Sequence, residues 1–526
     1  MKCFNVTGTC VGTEHYMVDI SNKLDEIEKL VEAKKYFTIN RARQYGKTTT
    51  LFHLAKRFES RGTYVCARIT FENAGPDAFK NEENFCRMIL QKVSDALGFA
   101  NVSSEYAKDW TSSNVSSFTM LDKHITRLCK EKKLVLMIDE VDKTSNNALF
   151  LHFLAMLRAK FLSRQEGMDF TFHSVILAGV TDIKNLKLKM ITEVVYEPTI
   201  SESKIVNSPW NIAANFNVDM SFNPEEISSM LLDYEEEHNT GMDIVAIANE
   251  IYMYTDGYPF LVSRFCQCID EELGKNWTIE GVTQAVQIIL EERSVLFDDI
   301  AKNLENNKEL RNFLYELLVL GEHKSFRTSN LLVDLANKFC YIKKGNKANC
   351  IISNKIFESY LMGYFIAQDE NSPKVRRLRG AIYKDVIRGG KFDMVACMLK
   401  FAEYYRTIYS LKDEAFYERH GRLLFLSFIT PLLNGHGFIH VETQLTDERR
   451  MDLVVDFEKE QFIIELKLWR GEAAKEKAYE QLLGYIEKMG ANEGYLLTFD
   501  FRKTKTGEYK ASWVDVGCKR IFDVVV

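Results

Sequence analysis

Ile39-Asn40-Arg41-Ala42-Arg43-Gln44-Tyr45-Gly46-Lys47-Thr48-Thr49 reads as a strand end, a tight loop and a helix start. Tyr36 to Ile39 is β-type, Gly46 lets the backbone turn sharply, and Thr50 to Phe58 carries apolar residues at helical spacing. A helix N-terminus reached in this way presents backbone N–H groups to phosphate oxygens. Arg43, Gln44, Tyr45, Gly46, Lys47, Thr48 and Thr49 are therefore the expected nucleotide contacts. In this arrangement Lys47 would reach the β and γ phosphates of a nucleoside triphosphate and the Thr48 hydroxyl would hold Mg²⁺. Arg41 stands where the common form of the motif has its first Gly.

A second element downstream supports the same reading. Lys133-Leu134-Val135-Leu136-Met137-Ile138-Asp139-Glu140 is an unbroken apolar run ending in two acids, the pattern of a buried parallel strand that delivers carboxylates to a sheet edge. Asp139 is expected to bind Mg²⁺ through water and Glu140 to orient and deprotonate the attacking water. Tyr64 to Ile69 and Ser174 to Val180 complete a set of four strands alternating with helical patterns, which argues for a parallel sheet covered by helices. Thr181 and Asp182, after the fourth strand, suit either a γ-phosphate sensor or a helix cap.

At 526 residues the chain is long enough for about three or four domains, and 46% hydrophobic residues with 12% aromatic ones supply real cores. A formal charge of −6 gives no global sign of nucleic-acid binding, so such a surface must be local. The eleven cysteines are scattered without a Cys-x-x-Cys pair, which suits reduced thiols rather than a disulfide framework or a zinc site. Neither a signal-peptide core nor a run of about twenty apolar residues is found, and the expectation is a cytoplasmic protein without a membrane partner.

The expected limits are 1–215 for the first region and 216–370 for a helical one. Asn223-Pro224-Glu225-Glu226 is a helix start, and Thr255-Asp256-Gly257-Tyr258-Pro259 a turn before another helix. Leu310 to Leu320, Ser329 to Phe339 and two short strands within Cys340 to Ser353 have the order of a winged helix, a module that serves as DNA binder or nucleotide lid, with the lid favoured. Ser372 to Lys391 holds seven Lys/Arg against one acid. It reads as a basic linker or helical segment, 371–405.

Residues 406–526 carry a second constellation. A helix from Asp413, strands Phe438–Gln444, Arg450–Asp456 and Gln461–Leu468, and a helix through Ala478–Tyr485 give an α-β-β-β-α-β order. Alternation puts Glu465 and Lys467 on one strand face beside Asp452 of the neighbouring strand. Asp452 and Glu465 would hold Mg²⁺, and Lys467 would position water or stabilise charge at a scissile phosphate. Glu414 is a further candidate ligand with which Glu418 competes, and Gln481 and Tyr479 are candidates to face the site.

Taken together, His15 to Ile20, the Asn40 to Thr49 loop, Val135 to Glu140, Leu177 to Leu186, Arg450 to Leu453 and Glu465 to Lys467 resemble the AAA-ATPase-like family found in bacteria. Members of that family usually carry a C-terminal PD-(D/E)XK nuclease-superfamily domain. The resemblance implies an α/β fold class: a P-loop parallel-sheet ATPase domain, a helical and winged-helix lid region, and a C-terminal α/β restriction-endonuclease-like domain. It makes Arg41 a family trait, and it implies Asp452, Glu465 and Lys467 as nuclease residues, with Met451 where the motif name has Pro. Gly257-Tyr258-Pro259 is similar to the Gly-x-Pro element of signal-transduction ATPases, which implies a nucleotide switch. The expected function is an ATP-controlled, Mg²⁺-dependent nuclease acting on nucleic acid, DNA first, in a chain compatible with homo-oligomers. The alternative is a regulatory ATPase whose C-terminal domain binds nucleic acid or a protein without cutting.

Overall fold

The computed structural model describes residues 2–99, 115–144, 147–180, 210–318, 324–345, 348–370, 386–408, 425–426, 428–430, 432–433, 437–444, 450–458, 460–469, 471–500 and 509–526. The chain divides into two compact units, 1–289 with 335–340, and 290–334 with 341–526.

The first unit is built on four parallel strands, β1 (Tyr36–Asn40), β2 (Val65–Thr70), β3 (Leu134–Asp139) and β4 (Ser174–Gly179), in the order β1-β4-β3-β2. Every residue of β3 and β4 is buried, because helices cover both faces and the strands need no polar side. Alternate residues separate the two cores. Tyr36, Ile69, Leu136, Ile138, Val175 and Leu177 pack with α3 (Glu82–Phe99), α4 (Phe118–Glu131) and α5 (Ala148–Gln165). Phe37, Ile39, Val135, Met137, Ile176 and Ala178 pack with α1 (Ser21–Glu32) and α2 (Lys47–Arg61). Ala214 donates its N–H to the Tyr36 carbonyl at 2.8 Å, so chain from beyond β4 runs along the free side of β1.

Four helices complete this unit: α6 (Pro224–His238), α7 (Ile244–Thr255), α8 (Pro259–Glu271) and α9 (Ile279–Glu291), the last crossing the unit limit at its end. The start of α6 is a capping box in which the Asn223 side chain accepts the Glu226 N–H and Glu226 accepts the Asn223 N–H. The N-terminal segment is fastened to these helices. Phe4 packs tilted against Tyr16, Tyr234 and Trp277, Tyr16 meets Tyr234 edge-on, Tyr16 Oη donates to Glu237 Oε2 at 2.7 Å, and Lys2 pairs with Asp233 at 2.7 Å.

The second unit contains α10 (Val295–Asn306) and α11 (Lys308–Leu318). In chain order α12 (Leu331–Lys338) and the hairpin β5 (Ile342–Lys344) and β6 (Cys350–Ile352) follow, giving the helix, helix, hairpin order expected of a winged helix. After α13 (Lys355–Glu370) come the short hairpin β7 (Ile387–Arg388) and β8 (Lys391–Phe392) and α14 (Met394–Ile408). The rest is a six-stranded sheet of β9 (Gly437–Gln444), β10 (Arg450–Phe457), β11 (Glu460–Leu468), β12 (Glu493–Phe499), β13 (Lys510–Val516) and β14 (Lys519–Val525), ordered β13-β14-β12-β11-β10-β9. Strands β11, β12 and β14 are parallel to one another, and β9, β10 and β13 run antiparallel to their neighbours. Helix α15 (Glu472–Lys488) covers one face through Ala478, Leu482, Tyr485 and Ile486. The sheet is longer than the α-β-β-β-α-β order by the terminal hairpin β13-β14, whose turn uses Gly517 at φ 64°.

Gly257 tests the packing of the helical part of unit one. It sits at φ 70°, and an added Cβ would lie 2.0 Å from the Phe222 carbonyl oxygen. Gly257→Ala is expected to destabilise the protein by about 2 kcal/mol or more through strain and displacement of the 222–257 contact, read as a lowered denaturation midpoint. An unchanged midpoint contradicts that packing.

Candidate nucleotide and metal sites

The loop between β1 and α2 closes on itself before any ligand is considered. Gln44 (φ 57°) and Gly46 (φ 74°) take left-handed conformations, which turn the chain from the strand into the helix. Lys47 Nζ donates to the carbonyl oxygens of Arg41 at 3.0 Å and Ala42 at 2.8 Å, in a residue only 6% exposed. Burial holds its ammonium below the usual lysine range, against the opposing influence of Asp142, Glu140 and Asp139.

Thr48 Oγ1 donates to Asp139 Oδ2 at 2.6 Å, joining the first turn of α2 to the carboxyl end of β3. The other Asp139 oxygen, Oδ1, accepts the Glu140 N–H at 2.9 Å. Glu140 itself has φ 55°, and burial followed by the neighbouring Asp139 carboxylate raises its pKa. A hydroxyl beside a carboxylate, with a second acid next in the chain, is an all-oxygen donor set that fits a hydrated Mg²⁺ ion. Asp142 faces the same strand ends, where its Oδ2 accepts the Val180 N–H at 2.6 Å.

Three supports of this loop come from distant sequence. The Arg41 guanidinium donates to Asn40 O at 2.8 Å and Val218 O at 2.7 Å and lies 5.5 Å from the Phe216 ring centre. Arg41 is thus an anchor of the loop. Tyr258 Oη donates to Arg43 O at 2.6 Å, and its ring meets Tyr45 edge-on at 4.8 Å. Thr49 Oγ1 accepts the Cys10 N–H at 3.2 Å. Thr181 and Asp182 lie outside the described residues.

In the second unit Glu465 is fully buried on β11, and Lys467 Nζ pairs with its Oε1 at 2.5 Å. Glu465 and Lys467 are register partners of Leu496 and Thr498 on β12, so both belong to the face that α15 covers. On the other side Leu453 pairs with Ile464, and the same register continued by one residue brings position 452 opposite 465. The side chain of Asp452, and all of Glu414 and Glu418, lie outside the described residues. Gln481 Nε2 donates to Tyr485 Oη at 2.7 Å, while Tyr479 Oη donates to Asp523 Oδ2 at 2.7 Å. Lys475 Nζ pairs with the same Asp523 oxygen at 2.6 Å.

Residues 13–361, about two thirds of the chain, match the family model described as AAA-like domain. The chain belongs to that AAA-like family. Residues 438–510 match the PD-(D/E)XK nuclease superfamily, which places Asp452, Glu465 and Lys467 within the matched span. Among solved structures, this AAA-like chain is similar to a Walker-type ATPase of Pyrococcus abyssi at 13% identity and a TM-score of 0.46, over 68% of this chain and 99% of that one. It is also similar to the ORC2 protein of Aeropyrum pernix (12% identity, TM-score 0.32, 66% and 92% covered). A third similarity is to Cdc6p of Pyrobaculum aerophilum (13% identity, TM-score 0.32, 66% and 94% covered). A comparison with curated protein sequences returns no match.

Sequence reasoning missed Tyr258 as a loop contact, and it missed Lys475, Thr498 and Asp523 altogether. Tyr258 was within reach, since its Gly-Tyr-Pro setting stood out as a turn. The other three carry no local signal, because only the sheet register brings Thr498 and Asp523 beside β11 and α15.

The raised Glu140 pKa gives a pH test. A carboxyl that titrates higher in the folded than in the unfolded chain, where the value is about 4.3, loses stabilisation as pH rises from the unfolded value through the folded one. Without metal, Glu140→Gln should therefore melt with the wild type near pH 4 and above it at neutral pH. A difference independent of pH contradicts the assignment.

Proposed function

We propose that this AAA-like chain binds and hydrolyses ATP at the β1-α2 loop and couples that cycle to a Mg²⁺-dependent nuclease-like site on β10 and β11 that acts on nucleic acid, DNA in particular. The observation that carries the reading is the Thr48 to Asp139 hydrogen bond, with Lys47 held beside it and Glu140 next in the chain. The domain limits proposed are 1–215, 216–370, 371–405 and 406–526. The helices α6 to α9, which cluster with the first unit through residue 289, form the first part of the lid region.

On nucleotide arrival Lys47 exchanges the Arg41 and Ala42 carbonyls for the β and γ phosphates. Thr48 and Asp139 would hold Mg²⁺, which would supply charge neutralisation at the phosphate oxygens. Glu140 accepts a proton from the attacking water, a role its raised pKa suits because the base then titrates closer to neutral pH. Tyr258, fixed to the Arg43 carbonyl, is positioned to pass changes in the loop to α8. In the second unit Asp452 and Glu465 are the proposed metal ligands, and Lys467 stabilises charge at the scissile phosphate.

Lys47→Ala is expected to lower ATP turnover by about a hundredfold or more, read by phosphate release. Unaltered turnover removes the ATPase assignment. Supercoiled plasmid incubated with Mg²⁺ or Mn²⁺, with and without ATP, should be nicked by the wild type. Lys467→Ala should cut at least about a hundredfold more slowly. Absence of cutting by the wild type on DNA and RNA contradicts the nuclease and leaves the binding-only regulatory ATPase.

A further inference from the structure

Beside the Glu465 and Lys467 pair lies a cleft of about 250 Å³ between the end of β11, β12 and the first turns of α15. Its polar lining is cationic. Lys467, paired with Glu465, and Lys475, paired with Asp523, both contribute, and no Asp or Glu is among the described lining residues. Trp469 forms one wall, with the Lys475 ammonium 5.9 Å from its ring centre. Gly471, at φ 99°, begins the 17-residue α15 without a side-chain cap and lines the cleft. The Ala474 and Lys475 N–H groups both donate to its carbonyl at 3.2 Å, which leaves the two N–H groups before them and the positive end of the helix at this end.

A second observation is independent of the helix. Thr498 is only 3% exposed, lines the cleft, and its Oγ1 is buried without a hydrogen-bond partner among the described residues. A buried hydroxyl left unsatisfied is costly unless a ligand or water completes it. It sits in register with Lys467 on the adjacent strand. Lys475 is held from behind by Asp523, whose Oδ2 also accepts the Tyr479 hydroxyl. That carboxylate fixes the ammonium without entering the lining.

We propose that this cleft is an anion pocket for a phosphate of the nucleic-acid strand next to the one cleaved. Lys475, Thr498 and the α15 N-terminus contact its oxygens, and Trp469 lies against the adjoining sugar or base. The proposal rests on the nuclease reading for the identity of the strand, whereas the pocket itself rests on the residues above. Asp523 and Tyr479 are positioning residues for Lys475.

The test reads binding rather than cutting. Fluorescence anisotropy, with Ca²⁺ in place of Mg²⁺, follows short single-stranded DNA labelled at the 3′ end and carrying either a 5′-phosphate or a 5′-hydroxyl. Lys475→Ala should weaken binding about tenfold and reduce the salt slope by about one. Thr498→Val should weaken it about fivefold, and Lys475→Arg, which keeps the charge and the Asp523 pair, should retain most of it. A loss confined to the 5′-phosphate strand assigns a terminal phosphate, and an equal loss on both strands an internal phosphodiester. Either result upholds the pocket.

A second arm uses inorganic phosphate alone in a Lys47→Ala background, which removes the nucleotide loop as a competing site. Phosphate should raise the melting temperature there, and Lys475→Ala should abolish the rise. If the rise occurs but no strand binds, the pocket stands and the nuclease reading fails. No phosphate-dependent rise, with strand binding either missing or unchanged in the variants, overturns the proposal.

Discussion

The hydrogen bond from Thr48 Oγ1 to Asp139 Oδ2 is the contact on which the proposed nucleotide site depends. It connects the start of α2, which follows β1, with the end of β3, although β4 lies between those two strands in the sheet. Bonds to a charged acceptor contribute about 1.5–3 kcal/mol, and here one ties a helix start to a strand end. The backbone makes this possible. β3 is buried along its whole length, so its register with β2 and β4 is set by packing, and Asp139 is delivered at the carboxyl edge where open α/β sheets bind ligands.

Both sites hold a lysine in readiness. Lys47 is nearly buried and hydrogen-bonded to two carbonyls, while Lys467 is a third exposed and pairs with the fully buried Glu465. A buried charge is tolerated only with partners, so each arrangement is stable without ligand. Burial, the largest cause of both shifts, lowers the Lys47 pKa and raises that of Glu140, because removal from water disfavours the charged form of either group. Lys160 shows the structural use of the same principle. It is 1% exposed in the first unit and is satisfied by Asp122 at 2.6 Å, Asp169 at 2.7 Å and Thr126 at 2.7 Å, away from the nucleotide loop.

Much of this was legible in the sequence for a physical reason. Parallel strands buried on both faces appear as unbroken apolar runs, so β3 and β4 stood out, and the acids closing β3 marked its functional end. Asn223 and Pro224 announced α6 because capping chemistry is local. Arg41 was visible only as a departure from the common motif, since its partner Val218 lies 177 positions away. The Tyr258 to Arg43 contact spans 215 positions, so the Gly-Tyr-Pro turn marked Tyr258 but not its partner. The terminal hairpin escaped notice because β13 is an edge strand with much of its surface exposed, so it lacks the apolar run that betrays an interior strand. Lys475, Thr498 and Asp523 become neighbours only through the order of β11, β12 and β14.

Thr48 and Asp139 are proposed to form a metal-linked nucleotide site. Calorimetric titration of ATP with and without Mg²⁺ tests it most directly. Mg²⁺ should tighten ATP binding to the wild type by at least about tenfold, and Thr48→Ala should keep nearly its metal-free affinity. An equal Mg²⁺ gain in the two proteins would contradict the claim.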